Sequence, residues 1–259
     1  MIVYYENSKG EKLDLLKKPY RTIEADWYDS DWEESSSGYE KKIEIDVFGK
    51  RDEFVKNMEN LYSIIAVDSE IGAYGKLHVN GSYLRCKIQK SKKTGWKGYI
   101  YTEVELTFEA PELKWFIEAR KSFFPQDGTG SSGLNYMFNY PFNYAADKKG
   151  IAQWKVDHII SNDFRMIIYG PCVNPRILVN GYPYEVFVTL ERNEYLIIDS
   201  AENTIYKYAV NGIVSNEFNN RGYEYSVFER IPSGLVTFNW SGEFGFDVTL
   251  YCARREAKW

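Results

Sequence analysis

Residues 75–84, which read Gly-Lys-Leu-His-Val-Asn-Gly-Ser-Tyr-Leu, decide the fold class of this 259-residue chain. Apolar and polar residues alternate on both sides of Asn80-Gly81, which is the pattern of half-buried strands. Asn-Gly is the dipeptide that most readily supplies two residues of positive φ to a tight hairpin turn. The segment therefore predicts two antiparallel strands, over residues 75–79 and 83–89, joined by a two-residue turn.

The flanking sequence extends this pattern into a mostly-β domain with a single helix. Residues 42–48 and 99–110 alternate as further half-buried strands. Residues 52–65 instead place their apolar side chains at the 3.6-residue helical period, with Asp52 and Glu53 at the positive end of the helix dipole. The predicted apolar stripe consists of Phe54, Val55, Met58, Leu61, Tyr62 and Ile65. We expect this helix to pack on the sheet.

The second half of the chain predicts a β-sandwich. From residue 164 onward, short alternating segments recur with turn signals between them, which is typical of that fold. Residues 123–150 break the composition with prolines, glycines and an aromatic cluster at Tyr136, Phe138, Tyr140, Phe142 and Tyr144. We therefore expect a mainly-β fold with an N-terminal domain over residues 1–120, a linker over 121–150 and a C-terminal sandwich over 151–259.

Composition narrows the classes of function. The chain has 32 basic and 37 acidic residues, a formal net charge of −5, and neither half is basic when the chain is divided at residue 120. Binding driven by nucleic-acid phosphates is therefore not indicated. The aromatic content of 17% is typical of β-rich proteins, because pleated and half-buried surfaces pack such side chains well.

Cysteine usage and hydropathy point to folding in a reducing cell interior. Cys86, Cys172 and Cys252 are odd in number and widely spaced, which fits neither a disulfide framework nor a zinc ribbon. The first ten residues lack the pattern of a signal peptide, and no run of 18 apolar residues occurs. We expect synthesis and assembly in the cytoplasm and no contact with a membrane.

Residues 24–40 form an acidic, aromatic segment with seven carboxylates and no basic residue. One interpretation is a solvated excursion of a long hairpin. The other is a contact arm for a partner or a neighbouring subunit, because Trp and Tyr are enriched at interfaces. The candidate residues of this acidic arm are Asp26, Trp27, Tyr28, Asp29, Asp31, Trp32, Glu33 and Glu34.

The sequence gives little support for a nucleotide-binding, metal-binding or catalytic motif. Residues 128–133 match GxGxxG, but no strand feeds them and no helix follows, so a flexible linker is the better interpretation. His78 and His158 lack metal-ligand spacing, and Asp29 and Asp31 could formally act as a glycosidase pair but are better explained as solvated carboxylates. We therefore predict no catalytic residue, no metal site and no cofactor.

A short stretch resembles the sugar-binding motif of galectins. Cys172-Val173-Asn174-Pro175-Arg176 is similar to their His-x-Asn-x-Arg sequence, although Cys replaces His and Trp240 lacks the expected following residues. Asn174 and Arg176 are accordingly weak candidates for glycan binding. The alternative is a strand entrance stiffened by Pro175.

Several segments, in order along almost the whole chain, resemble the distal tail proteins (Dit) of long-tailed bacteriophages. The similar segments are residues 75–84, 105–111, 138–144, 168–175, 196–200, 216–221, 231–234 and 254–259. The last of these has Ala257 where the family ending has Pro. The resemblance implies an N-terminal split β-barrel-like domain with one α-helix and a C-terminal galectin-like β-sandwich.

The resemblance also implies a structural function. Six copies would form a homo-hexameric ring at the virion tail tip, linking the tail tube protein to a tail hub or tail-associated lysin-like protein and to receptor-binding or baseplate proteins. DNA would pass through the central channel, and part of the acidic arm, residues 26–34, would line or approach that lumen. The alternatives are a carbohydrate-binding module that recognises host glycans through the sandwich and, less favoured, an enzyme.

Overall fold

The computed structural model describes residues 1–24, 27–28, 31–36, 38–126 and 150–259. These residues form a mainly-β structure, as predicted, with one α-helix and one short 3-10 helix (Phe218–Asn220) among them. Two compact units are present, Met1–Ile117 together with Ala253–Trp259, and Glu118–Cys252. The predicted division at residues 120 and 150 differs from this one, since the last seven residues belong to the first unit. The GxGxxG stretch and the aromatic cluster lie outside the described residues.

The first unit contains eight strands, the helix α1 (Arg51–Ile71) and the beginning of a ninth strand. The strands are β1 (Val3–Glu6), β2 (Lys12–Asp14), β3 (Tyr20–Thr22), β4 (Glu33–Ser35), β5 (Gly38–Phe48), β6 (Gly75–Val79), β7 (Ser82–Lys97), β8 (Tyr101–Ala110) and β9 (Trp115–Phe123).

Two antiparallel arrays share the long strand β7. In one array β2, β1 and β6 lead to the first residues of β7, which also pair with the start of β9. In the other array β3 and β4 pair with β5, which pairs with β8, which pairs with residues 87–97 of β7. Helix α1 packs against β7, β5 and β2. Because β7 crosses from one array to the other, both arrays enclose one apolar core.

The hairpin predicted around Asn80-Gly81 is confirmed. Asn80 has φ 47° and Gly81 has φ 83°, and Val79 pairs with Ser82 across the turn. The second Asn-Gly, at residues 180–181, forms an equivalent turn with φ 50° and 86°. Local turn chemistry therefore sets the register of a hairpin in each unit.

Helix α1 is longer than residues 52–65, and its buried stripe differs from the prediction. Phe54, Leu61 and Ile65 are buried, whereas the predicted Val55 and Tyr62 are exposed. The buried face of the helix continues to Asp68, which is fully buried. Because Asp68 is polar, a search for apolar residues at helical spacing does not include it. The helix ends at Gly72, whose φ of 67° is the left-handed conformation that glycine adopts without strain.

Asp68 ties the helix to the sheet. Its carboxylate accepts hydrogen bonds from the Tyr5 hydroxyl and from the Ser8 backbone N–H, the latter at 2.9 Å. Burial, with the Asp68 hydrogen bond next, raises the pKa of Tyr5 far above its usual range, so the hydroxyl stays protonated. Gly75 lies against this pair, because a Cβ there would come within 2.7 Å of both Asp68 Oδ2 and the Tyr5 oxygen.

The second unit contains the end of β9 and eleven further strands, the last of which ends in the first unit. The strands are β10 (Gly150–Val156), β11 (Asp163–Tyr169), β12 (Cys172–Val173), β13 (Arg176–Val179), β14 (Tyr182–Glu185), β15 (Thr189–Leu190), β16 (Tyr195–Asp199), β17 (Thr204–Tyr208), β18 (Val214–Asn216), β19 (Gly234–Trp240) and β20 (Phe246–Arg254).

These strands form the predicted sandwich. One sheet has the order β18-β17-β16-β11-β20 and the other has the order β10-β19-β13-β14. The two sheets meet through aromatic rings, since Phe246 of β20 contacts Phe238 and Trp240 of β19 at centroid distances of 6.2 and 5.2 Å. Phe123 stacks on Phe246 at 4.5 Å. Such contacts between inner faces are the usual core of a sandwich.

Candidate assembly and ligand surfaces

The acidic arm begins inside the first unit. Trp27 is buried and meets Phe108 edge-on at 6.4 Å. Tyr28 stacks on Trp259 with ring centroids 4.2 Å apart, and its hydroxyl accepts a hydrogen bond from Asn80 Nδ2 at 2.8 Å. These two aromatic side chains therefore anchor the arm within its own unit, next to the hairpin turn and the C-terminal residues.

The remaining arm residues lie nearer the surface. Asp31 forms an ion pair of 2.5 Å with Lys41, whose side chain is buried although the carboxylate is exposed. Trp32 packs on the edge of the core and is partly buried. Glu33 and Glu34 are exposed on β4. Asp26 and Asp29 lie outside the described residues.

Carboxylates also face one another across β5 and β8. Glu44 lies opposite Glu105, and Asp46 lies opposite Glu103. Like charges directly opposite in an antiparallel pair are destabilising, so this arrangement is unfavourable for the isolated sheet. Tyr101 relieves the repulsion between Asp46 and Glu103, because its hydroxyl donates a hydrogen bond to Asp46 at 2.6 Å and lies 2.8 Å from the Glu103 carboxylate. The hydrogen bond to Asp46 is the largest cause of the raised pKa of this hydroxyl, and Glu103 adds to it.

The outer part of β7 carries the opposite charge. Lys90, Lys92, Lys93 and Lys97 are exposed there, and residues 89–97 contain no acidic residue. These lysines were not among the predicted site residues. Their clustering was visible in the sequence as Lys-Ser-Lys-Lys at residues 90–93, but the sequence did not show that this run lies at the border of a sheet.

The structure brings the weak glycan candidates to a cleft of about 300 Å³ in the second unit. Its lining includes Asn174 and Arg176, together with Asn239 of β19 and Glu243 of the β19–β20 connection. Pairing of β13 with β19 causes this approach, because Ile177 lies opposite Trp240 and Leu178 opposite Asn239. The cleft thus combines a guanidinium, two carboxamides and a carboxylate, which can donate and accept hydrogen bonds to a polar ligand.

The aromatic part of the cleft is turned inward. Trp240 is only 4% exposed, and its Nε1 donates to the Phe244 carbonyl at 3.0 Å. Its ring therefore offers little surface for stacking on a ligand. Burial, with the nearby Glu243 carboxylate as the lesser cause, raises the pKa of the Cys172 thiol to about 11. The thiol is protonated and poorly nucleophilic at neutral pH.

The two histidines occupy separate places. His78 stacks on Tyr4 at 4.4 Å and lies 3.3 Å from the Glu6 carboxylate, whereas Nδ1 of His158 lies 3.1 Å from the Ile160 carbonyl oxygen. Within the described residues no group of three or more His, Cys, Asp or Glu side chains could hold a metal ion. No helix in the described part of the chain is long and apolar enough to cross a membrane.

Comparison with known proteins places this architecture. No protein-family model matches the sequence, and the comparison with curated proteins gives no match. A chain of the phage P2 baseplate, in its activated conformation with Ca, superposes with a TM-score of 0.63 at 13% identity, covering 98% of this chain and 99% of that chain. The corresponding match in the baseplate with Sr has a TM-score of 0.63 at 12% identity and covers 98% of both chains.

The Dit protein of phage SPP1, a paradigm of the hub adsorption apparatus in phages that infect Gram-positive bacteria, superposes with a TM-score of 0.51. Its identity is 9%, and the match covers 96% of this chain and 97% of that chain. The chain has a Dit-like fold. The resemblance to the distal tail proteins is thereby confirmed at the level of the fold, and the Dit-like architecture extends through both units.

Proposed function

We propose that this chain is a structural protein of a phage tail tip, where six copies form a ring between the tail tube protein and the tail hub. The observation that carries the proposal is the Dit-like fold, because the matches cover 96–98% of the chain and so include both units. In this function the chain is a structural component that binds other tail proteins, and no residue is assigned a catalytic role.

The proposed partners follow from the position of the ring between the tail tube protein and the tail hub. The hub side would hold a tail-associated lysin-like protein, and the periphery would hold receptor-binding or baseplate proteins. DNA would be present only in transit through the central channel. Part of the acidic arm and the carboxylates of the β5–β8 pairs suit a channel wall, because negative side chains repel phosphates and do not retain the passing DNA. The chain would be made and assembled in the bacterial cytoplasm and would act at the virion tail tip.

The oligomeric state tests this proposal. Mass photometry of the purified chain should give a species near six times 30.3 kDa that persists on dilution. A matched measurement in high salt shows how much of the association is electrostatic, because salt screens exposed charges. A monomer at every concentration and salt level would contradict the proposed ring.

The cleft at Asn174 and Arg176 favours a second function, recognition of host glycans by the second unit. The specific observation is that the fold adds Asn239 and Glu243 to the two residues that the sequence suggested. A glycan array should then show binding that is lost in Arg176→Ala and retained in Arg192→Ala, an exposed arginine outside the cleft. Equal binding by both variants, or no binding by the parent chain, would contradict this function.

A further inference from the structure

The second array of the first unit has borders of opposite charge. Its strands run β4, β5, β8 and β7, so β4 forms one border near residues 38–40 of β5, and residues 89–97 of β7 form the other. We call these borders the acidic edge (β4) and the lysine edge (residues 89–97). Backbone groups at the border of a sheet can pair with a strand from another chain.

The lysine edge has an unpaired outer side. Strand β6 pairs with residues 82–86 of β7 only, while β8 occupies the opposite side of residues 87–97. No other strand of the described residues pairs with residues 89–97. Lys90 and Lys92 form no ion pair with any described residue, and the Lys93 ammonium contacts only Ser91, at 3.1 and 3.3 Å.

The acidic edge is the smaller border. Within the described residues β4 pairs with β5 alone, through Glu33 opposite Glu40 and Glu34 opposite Tyr39. Both Glu33 and Glu34 are exposed. Glu33 is also placed opposite a like charge within its own sheet, an unfavourable arrangement that a cation from another molecule would relieve.

We propose that the acidic edge of one copy pairs with the lysine edge of the next copy, and that this contact joins the subunits of the ring. The proposal rests on the proposed function and names the surfaces that carry it. Two lysine edges repel each other, as do two acidic edges, so a symmetric dimer through either border is disfavoured. The remaining arrangement is head to tail, and a head-to-tail contact generates a closed ring when its rotation closes.

Apolar side chains beside the lysine edge strengthen the contact. At the tip of the β7–β8 hairpin, Trp96, Tyr99 and Ile100 are 56%, 55% and 60% exposed. The tip is held in place, since Trp96 meets Phe54 edge-on at 5.5 Å and Tyr99 lies under Arg51 at 5.8 Å. Exposed aromatic residues on a rigid support, with charges around them, are the usual composition of an interface.

Lysines also have a simpler role at sheet borders, where they prevent unwanted strand pairing. Charge reversal separates the two roles. In Lys90→Glu/Lys92→Glu/Lys93→Glu both borders of the chain are acidic, because only Lys97 remains of the four lysines, and in Glu33→Lys/Glu34→Lys both borders are basic. Each variant alone should lose the ring, with its dissociation constant raised on the order of tenfold or more, because every contact then joins like charges.

An equimolar mixture of the two variants should restore the ring, since copies that alternate around an even-numbered ring again join acidic to basic borders. A single chain that carries all five substitutions should also form rings. The matched control, Lys9→Glu/Lys56→Glu/Lys155→Glu, introduces the same charge change as the lysine-edge variant on exposed residues outside both borders and should leave the ring intact. Native mass spectrometry measures these five samples and the parent chain, and circular dichroism checks that each protein is folded.

The outcomes separate this inference from the proposed function. Loss of the ring in each variant alone, with recovery in the mixture and in the fivefold variant, supports the contact. A parent chain that forms rings, with both reversed variants unaffected, overturns the contact and leaves the ring standing. Loss without recovery also overturns it, and a parent chain that is monomeric overturns both.

Discussion

The two units present different kinds of surface. The first unit offers two borders of a sheet, one acidic and one rich in lysine, with exposed aromatic residues beside the second. The second unit offers a concave cleft of about 300 Å³ with polar groups on its walls. A long border suits another chain, whereas a cleft suits a small ligand. The proposed assembly contact and the proposed glycan cleft therefore lie in separate units, so separate substitutions can test them.

We expect the largest change in stability from a substitution at Gly75, which lies against the Tyr5–Asp68 hydrogen bond between the sheet and α1. In Gly75→Ala the new Cβ would meet the Glu6 carbonyl oxygen at 2.4 Å and the Tyr5–Asp68 pair at 2.7 Å. Backbone must move, so we expect the free energy of unfolding to fall by about 3 kcal/mol, the upper range for overpacking. Denaturant unfolding measures it. Gly222→Ala in the second unit, where the nearest atom is 3.6 Å away, is the control, and an equal loss there would contradict the account.

Removing the Tyr5 hydroxyl should have a smaller effect on the stability of the first unit. Tyr5→Phe leaves the buried Asp68 carboxylate with the Ser8 N–H but without the hydroxyl donor. We expect a loss of about 2 kcal/mol, because a buried charged acceptor that loses a donor is not compensated. Denaturant unfolding at neutral pH checks this, and Tyr62→Phe on the exposed face of α1 should change nothing. If Tyr5→Phe leaves the free energy of unfolding unchanged, the Tyr5–Asp68 hydrogen bond does not stabilise the first unit.

The same hydroxyl should give the first unit a dependence on alkaline pH. Its pKa is raised in the folded chain, so the stabilisation is complete below the ordinary tyrosine pKa of about 10 and declines as pH rises above it. The parent chain should lose about 1.4 kcal/mol per pH unit more than Tyr5→Phe in that range. Parallel slopes for the two proteins above pH 10 would contradict this prediction.

At the border itself, a substitution should affect assembly without affecting folding. Ile100→Ser removes an apolar side chain from the hairpin tip that is 60% exposed. We expect the ring dissociation constant to rise about tenfold, equivalent to about 1.4 kcal/mol, with unfolding unchanged. Ile159→Ser, at a residue of the second unit that is 94% exposed, is the control. If both variants assemble like the parent chain, the hairpin tip lies outside the interface.

The smallest expected effect is in the cleft. With a Cys172 pKa of about 11, alkylation by iodoacetamide should be slow at pH 7 and should rise about tenfold per pH unit until near pH 11. Glu243→Gln should accelerate the reaction a few-fold at pH 8, since the carboxylate is the lesser cause of the raised pKa. Peptide mapping distinguishes Cys172 from the buried Cys86 and Cys252. A rate that levels off below pH 9 would contradict the assigned environment.

Local chemistry was enough to predict part of this structure. Asn80-Gly81 specified its hairpin because two residues of positive φ are required there, and the strands around it followed from alternation. The end of α1 was misplaced because the buried residue Asp68 gains its partners, Tyr5 and Ser8, from a strand and loop more than 50 residues away. Apolar periodicity contains no information on such a bond.

The surfaces were harder to predict, because they depend on strand pairing over long distances. Asn174 and Arg176 were visible as polar residues, but Glu243 joins them only through the register of β13 with β19. Trp27 and Tyr28 suggested an interface by composition, and the fold places them against Phe108 and Trp259 of their own unit. Residue type indicates what a side chain can do, and tertiary pairing decides where it does so.

Negative-stain electron microscopy of the purified chain shows whether copies of the chain close into a ring. We expect sixfold-symmetric annular particles with an open centre, both in the parent chain and in the Lys9→Glu/Lys56→Glu/Lys155→Glu control. Images that contain only monomers, or compact dimers without a central hole, would contradict it.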